Sequence, residues 1–203
     1  MKEIVIIGNG DVTVDYSQLV NSADFVVRIN EPRNYGGNSG TKIDALCVTN
    51  LSTPGRLFAK YQIIKKLSFI QEVSEIWFPR PSNYSPFQFW IKPFSKNIFA
   101  QANYRKHIVS RNALENKGLI DFTKDLYANC CIELDINIES TTYFPSTGYL
   151  TIAYIQDRFR YEDTCITLLG FSFQGTPCHK WDKERENVMK MLNDSTLNLK
   201  WVV

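Results

Sequence analysis

The chain has 203 residues, 44% of them hydrophobic and 22% charged, with a formal net charge of +2 at pH 7. That length supports one domain with a real core, and the composition excludes a disordered or fibrous chain. No run of about five or six like charges marks a nucleic-acid partner, and no apolar run reaches the roughly 18 residues of a membrane span; a local basic face leaves peripheral membrane association open.

Taken in chain order, Lys2 to Ile7 is a short apolar run breaking into Gly8-Asn9-Gly10, which predicts a buried strand and a turn. The chain opens on this strand-like segment without signal-peptide character, so the expected compartment is the cytoplasm. A helical stretch around Tyr16 to Asn21 precedes a second strand, Asp24 to Ile29, ending at Asn30; a third, Lys42 to Thr49, ends at Asn50. Thr53-Pro54 opens a helix reaching Ile70, and Glu75 to Phe78 is the next strand. From Pro79 to Phe99 four prolines stand among six aromatic residues, which predicts a packed loop or lid. Lys106 to Gly118 and Phe122 to Ala128 read as helices, and Cys131 to Ile138 as a strand. Pro145-Ser146-Thr147-Gly148 opens a helix Tyr149 to Arg158, followed by a strand Thr164 to Phe171, an amphipathic helix Lys183 to Leu192 and a strand Leu197 to Val203. Alternating strands and helices define an α/β chain: one Rossmann-like domain over residues 1–203, with a mainly parallel sheet flanked by helices.

Three successive strands end beside Asn9, Asn30 and Asn50, at the sheet edge where α/β folds bind ligands; strand-terminating turns account for asparagine there equally well. Gly8-Asn9-Gly10 permits close backbone approach to a phosphate or ribose, or makes a tight turn, but Thr13 replaces the third glycine of a dinucleotide fingerprint. Gly36 to Lys42 lacks the Gly-Lys-Ser/Thr of a P-loop and reads as a flexible turn. Ser146, Thr147 and Gly148 at a helix start could hold an anion or simply cap the helix. Of two histidines, His179 lies in a loop as a candidate base and His107 on a solvated helix face. Five cysteines without a CxxC pair predict reduced thiols, not disulfides or zinc. Glu133-Leu134-Asp135 reads as a strand face, so no metal site is expected.

These segments resemble, in order, the motifs of animal-type sialyltransferases. Val5-Ile6-Ile7-Gly8-Asn9, Asp24-Phe25-Val26-Val27-Arg28-Ile29-Asn30 and Gly40-Thr41-Lys42 look like the large sialylmotif. Pro145 to Leu150 with Leu169-Gly170-Phe171 looks like the small one, and His179-Lys180-Trp181-Asp182-Lys183-Glu184 like the very small one, or alternatively like the third motif. The first 50 residues are also similar to Campylobacter-type bacterial sialyltransferases. The resemblance implies a sialyltransferase variant of the GT-A fold and an inverting, metal-independent transferase without cofactor. Its donor would be CMP-sialic acid, or another CMP-activated sugar such as CMP-Kdo, and its acceptor an oligosaccharide or glycolipid of lipooligosaccharide or capsule synthesis. A catalytically inactive CMP-binding protein is the alternative. His179 would be the base; Gly8, Asn9, Gly10, Asn30, Asn50, Ser146, Thr147 and Gly148 would bind substrate or nucleotide, with Arg28 and Glu184 in support. The segment 79–99 would face the acceptor.

Overall fold

In the first strand, β1 (Lys2–Ile7), Ile4 and Ile6 belong to one apolar cluster and Val5 and Ile7 to another. Burial on both faces is what a central strand of a parallel sheet requires. The computed structural model describes residues 1–81, 102–138, 140, 142–194 and 198–202. Within them β1 is joined by β2 (Phe25–Ile29), β3 (Ala45–Cys47), β4 (Glu75–Phe78), β5 (Gly118–Asp121), β6 (Thr164–Leu169) and β7 (Leu199–Val202). The order across the sheet is β5-β4-β3-β2-β1-β6-β7, and every described pair is parallel.

Helices cover both faces. Val20 of α1 (Ser17–Ser22) packs on Val5, Ile7 and Val26, while Phe58 of α2 (Ser52–Tyr61) and Ile108 of α3 (Arg105–Asn112) pack with Leu46, Ile76 and Phe78. The opposite cluster joins Ile4, Ile6 and Trp77 to Tyr127 of α4 (Lys124–Glu133), Leu150 of α5 (Thr147–Arg158) and Val188 of α6 (Trp181–Asn193). Trp77 shows how alternation sorts the faces: its neighbours Ile76 and Phe78 point one way, and it packs the other way at 4.8 Å from Tyr154 and 6.0 Å from Phe122. Burying such a side chain contributes about 3 kcal/mol.

The chain builds β1 to β5 stepwise towards one edge, then returns to place β6 on the other side of β1. This reversal is a topological switch point, and connections leaving adjacent strands in opposite directions open a crevice at their carboxyl ends.

The sheet is parallel throughout the described pairs, and several expected bounds move. Residues 131–138 are not a strand: Tyr127, Cys130, Cys131 and Leu134 are buried at helical spacing, so α4 runs to Glu133, and Glu133-Leu134-Asp135 is a helix end rather than a strand face. The helix expected to stop at Gly118 stops at Asn112, where Ala113 takes φ +55 as its left-handed cap, and Gly118 instead begins β5. The helix expected to reach Ile70 stops at Tyr61, capped by Gln62 at φ 53.

Candidate functional site

A cleft of about 860 Å³ opens over the carboxyl ends of the strands. The three strand-end asparagines form a series along this edge. Asn9 Nδ2 donates to Ile29 O at 2.9 Å and its Oδ1 accepts from Arg33 N at 3.0 Å, joining β1 to the end of β2. Asn30, at φ 56, accepts from Thr49 N at 2.9 Å, joining β2 to β3. Asn50, fully buried, donates to Arg80 O at 2.8 Å and accepts from Arg80 N at 3.2 Å, joining β3 to β4. Each amide thus satisfies backbone groups that the ending ladder leaves open, as a buried sheet edge requires.

The glycines at the switch point are set by the backbone opposite. A Cβ on Gly8 would stand 2.5 Å from Gly170 O, and one on Gly10 2.9 Å from the same oxygen; Gly170 itself has φ +67. Gly10 N donates to Gly170 O at 2.8 Å, so the turns after β1 and β6 are bonded face to face. Close packing of these turns explains Gly8 and Gly10, and both still line the cleft.

On the opposite wall three side chains clamp three consecutive residues ahead of α5. His179 Nδ1 donates to Phe144 O at 2.8 Å, Arg80 Nη2 to Pro145 O at 2.9 Å, and Glu184 accepts both Ser146 N–H at 2.7 Å and Ser146 Oγ–H at 2.6 Å. Ser146 Oγ in turn accepts from Tyr149 N at 3.0 Å as the N-cap of α5. Glu184, fully buried on α6, therefore acts as a capping carboxylate delivered from another helix. The loop after β6 is fixed by Trp181, whose Nε1 donates to Thr176 O at 2.9 Å and whose ring packs on Gly175. This presents Cys178 and His179 to the cleft.

The electrostatics follow from the burial. Desolvation pushes the Glu184 carboxyl up, against the Ser146 bonds and the pull of His179 and Arg80. Burial pulls the His179 imidazole down, but the Cys178 thiol, the Phe144 carbonyl and the Glu184 carboxylate outweigh it and hold its pKa above the ordinary value. Cys178 moves the other way, drawn down to about 7 chiefly by its hydrogen bond with His179. Because a carbonyl only accepts, Nδ1 carries a proton, and a neutral His179 has its lone pair on Nε2.

Of the expected residues, Gly8, Asn9, Gly10, Asn30, Ser146, Thr147, Gly148 and His179 all line this one cleft. Asn50, Arg28 and Glu184 do not; they are buried behind it. Arg28 donates to Lys42 O, Ser39 Oγ, Ser39 O and Gly40 O, so the expected flexible turn at 36–42 is pinned, and burial pushes its guanidinium pKa down to about 10. His107 lies exposed on α3. The expected lid over 79–99 falls outside the described residues beyond position 81. Sequence reasoning missed Arg80, Cys178 and Phe144, none of which carries a motif, while Phe171, at the end of the expected small motif, joins Phe144 as aromatic lining. Among the described residues no group of three or more His, Cys, Asp or Glu side chains could hold a metal ion, and no helix is long and apolar enough to cross a membrane.

No family model matches the chain. Over 91% of its length it is 25% identical to a urease operon 23 kDa accessory protein of Rhizobium meliloti, covering 86% of that protein. Among solved structures it is similar to a mammalian sialyltransferase in complex with Gal-β-1-3GalNAc-ortho-nitrophenol, with TM-score 0.57 and 16% identity over 99% of this chain and 69% of that one. It is likewise similar to an α-2,3-sialyltransferase from Campylobacter jejuni, with TM-score 0.55 and 21% identity over 99% and 75%. A Campylobacter jejuni sialyltransferase in complex with cytidine-5′-monophosphate matches with TM-score 0.51 and 21% identity over 99% and 79%. At these identities the likeness establishes the fold: a single α/β domain of the kind sialyltransferases have.

Proposed function

We propose that the chain is an inverting, metal-independent glycosyltransferase that moves sialic acid from CMP-sialic acid to a saccharide hydroxyl. The observation that carries this reading is His179, its Nδ1 held by Phe144 O, in the same cleft as the switch-point turn and the start of α5. Nε2 takes the acceptor hydroxyl's proton as that oxygen bonds the anomeric carbon, and the bond from that carbon to the phosphate breaks with its electron pair leaving on CMP. The N–H groups of Thr147 and Gly148 at the α5 N-terminus stabilise the charge gathering on the departing phosphate. Oligosaccharide or glycolipid precursors are the acceptor class, and the segment 79–99 is their contact.

A thermal-shift panel of CMP, CDP, UDP, GDP and NAD tests the nucleotide. CMP at 100 times its Kd adds about 2.7 kcal/mol of stability, and a protein that responds to GDP or NAD instead refutes the reading. Transfer from CMP-sialic acid and from CMP-Kdo then separates the donors, and product NMR showing retained anomeric configuration excludes the mechanism.

A second reading, a CMP-binding protein without transferase activity, is favoured by one observation. Ser146, Glu184 and Asn50 spend the hydrogen bonds described above on holding the fold. The accessory-protein name of the Rhizobium relative is compatible with it. Tight CMP binding with neither transfer nor donor hydrolysis supports that reading.

A further inference from the structure

Two arginines are buried in the described structure, and they differ in what they hold. Arg28 is spent on four acceptors of the 39–42 turn and does not reach the cleft. Arg80, only 6% exposed, lines the cleft, and its partners are neutral: Nη1 donates to Tyr127 OH at 3.2 Å and Nη2 to Pro145 O at 2.9 Å. Among the described residues its buried Nε has no hydrogen-bond partner and no carboxylate lies within ion-pair distance of it. The acidic groups that act on it electrostatically are not bonded to it: Glu184 has both oxygens on Ser146, and Cys178 is engaged with His179 and Thr176. The partly exposed Arg105 and Arg158 pair with Asp121 and Glu75.

A buried cation without a bonded counter-ion costs several kcal/mol, so such a group facing a cleft is a site awaiting its partner. The start of α5 adds to it. Tyr149 N is taken by Ser146 Oγ and Leu150 N by Ser146 O, whereas Thr147 and Gly148, the first two helical residues, have N–H groups without an intrahelical acceptor and line the same cleft. Phe144, over whose ring the Arg80 guanidinium stacks at 4.7 Å, supplies a low-dielectric wall that strengthens attraction to a negative charge.

We propose that Arg80, with the Thr147 and Gly148 N–H groups, forms an anion subsite that binds the acidic group, phosphate or carboxylate, of the ligand. The planar guanidinium suits either acid, since both offer two oxygens to its fork. The inference rests on the transferase reading only for which acid is bound.

Calorimetric titration of the wild type, Arg80→Gln and Arg80→Lys with cytidine, CMP and CMP-sialic acid tests it. With a phosphate in the subsite, Arg80→Gln weakens CMP at least tenfold and leaves cytidine unchanged; with the sugar carboxylate there, it spares CMP and weakens CMP-sialic acid at least tenfold. Arg80→Lys recovers part of either loss. A folded Arg80→Gln protein that binds all three ligands as the wild type does overturns the proposal. Should the glutamine variant not fold, a wild type that binds cytidine as tightly as CMP and CMP-sialic acid overturns it equally. Should the wild type bind no cytidine ligand, the transferase reading fails alone. Orthophosphate and free N-acetylneuraminate then decide the subsite: stabilisation of the wild type by either upholds it, and stabilisation by neither overturns it.

Discussion

The two walls of the cleft are built from different chemistry. Along β1 to β4 the wall rests on a row of neutral amides, Asn9 and Asn30 lining it and Asn50 buried behind it, each bonded to the backbone of the next strand's end. Across from it stand Arg80, Cys178 and His179, with Glu184 buried behind them, groups that carry or exchange charge and converge on residues 144–146. The amide wall has a fixed hydrogen-bond pattern at any pH near neutrality, whereas the opposite wall depends on where its protons sit. Shape therefore belongs to one side and chemistry to the other.

Removing Glu184 is the largest perturbation of this division. Glu184→Ala leaves the buried Ser146 N–H and hydroxyl without their acceptor, and its expected cost is about 3 kcal/mol, lowering Tm by about 6–12 °C in a scanning experiment. Glu184→Gln, which retains an acceptor but not the charge, removes one of the influences holding the His179 pKa up. The base must be neutral to act, so kcat/KM for the wild type rises with pH through a midpoint above about 6.5, and in Glu184→Gln that midpoint moves down. An unmoved midpoint would show that the two walls differ less than their hydrogen bonds imply.

On the amide side, Asn50→Ala frees both the N–H and the carbonyl of Arg80 and should cost about 2 kcal/mol in denaturant unfolding. Its pH–rate midpoint should stay at the wild-type value. Asn30→Gly loses the Thr49 bond but relieves a non-glycine residue at φ 56, so the net cost is within about 1 kcal/mol. The smallest effect is a labelling one. Cys178 should react with iodoacetamide with a midpoint near about 7 and be protected by CMP, while the four buried cysteines of the folded protein stay unmodified. Labelling of Cys47 at a comparable rate would contradict the buried placement.

Much of the fold was readable because patterning carried it: β1 is apolar from Ile4 to Ile7, β6 is mostly apolar from Cys165 to Leu169, and Ser146 sits where a cap should. The misread stretch, 131–138, shows the limit. Ile132 mimics an alternating strand, yet it is 73% exposed, and the helical set Tyr127, Cys130, Cys131 and Leu134 was present in the same residues. β5 went unseen because Gly118 offered a plausible helix stop, while the real cap is Ala113 in a conformation that sequence does not announce. In the site, asparagines at strand ends were legible, but their role as stitches between strands appears only with the register. Arg80 was invisible because its meaning lies in a missing partner, which depends on contacts with Tyr127 and Pro145, 47 and 65 residues away.

The most direct test of the central claim is transfer from CMP-sialic acid by His179→Ala, with His107→Ala as the control on an exposed helix position. The expected result is a loss of about 10² to 10⁴ in kcat with CMP affinity within a few fold of wild type, and no change for His107→Ala. A His179→Ala protein that transfers sialic acid at nearly the wild-type rate would contradict the assignment of this imidazole as the base.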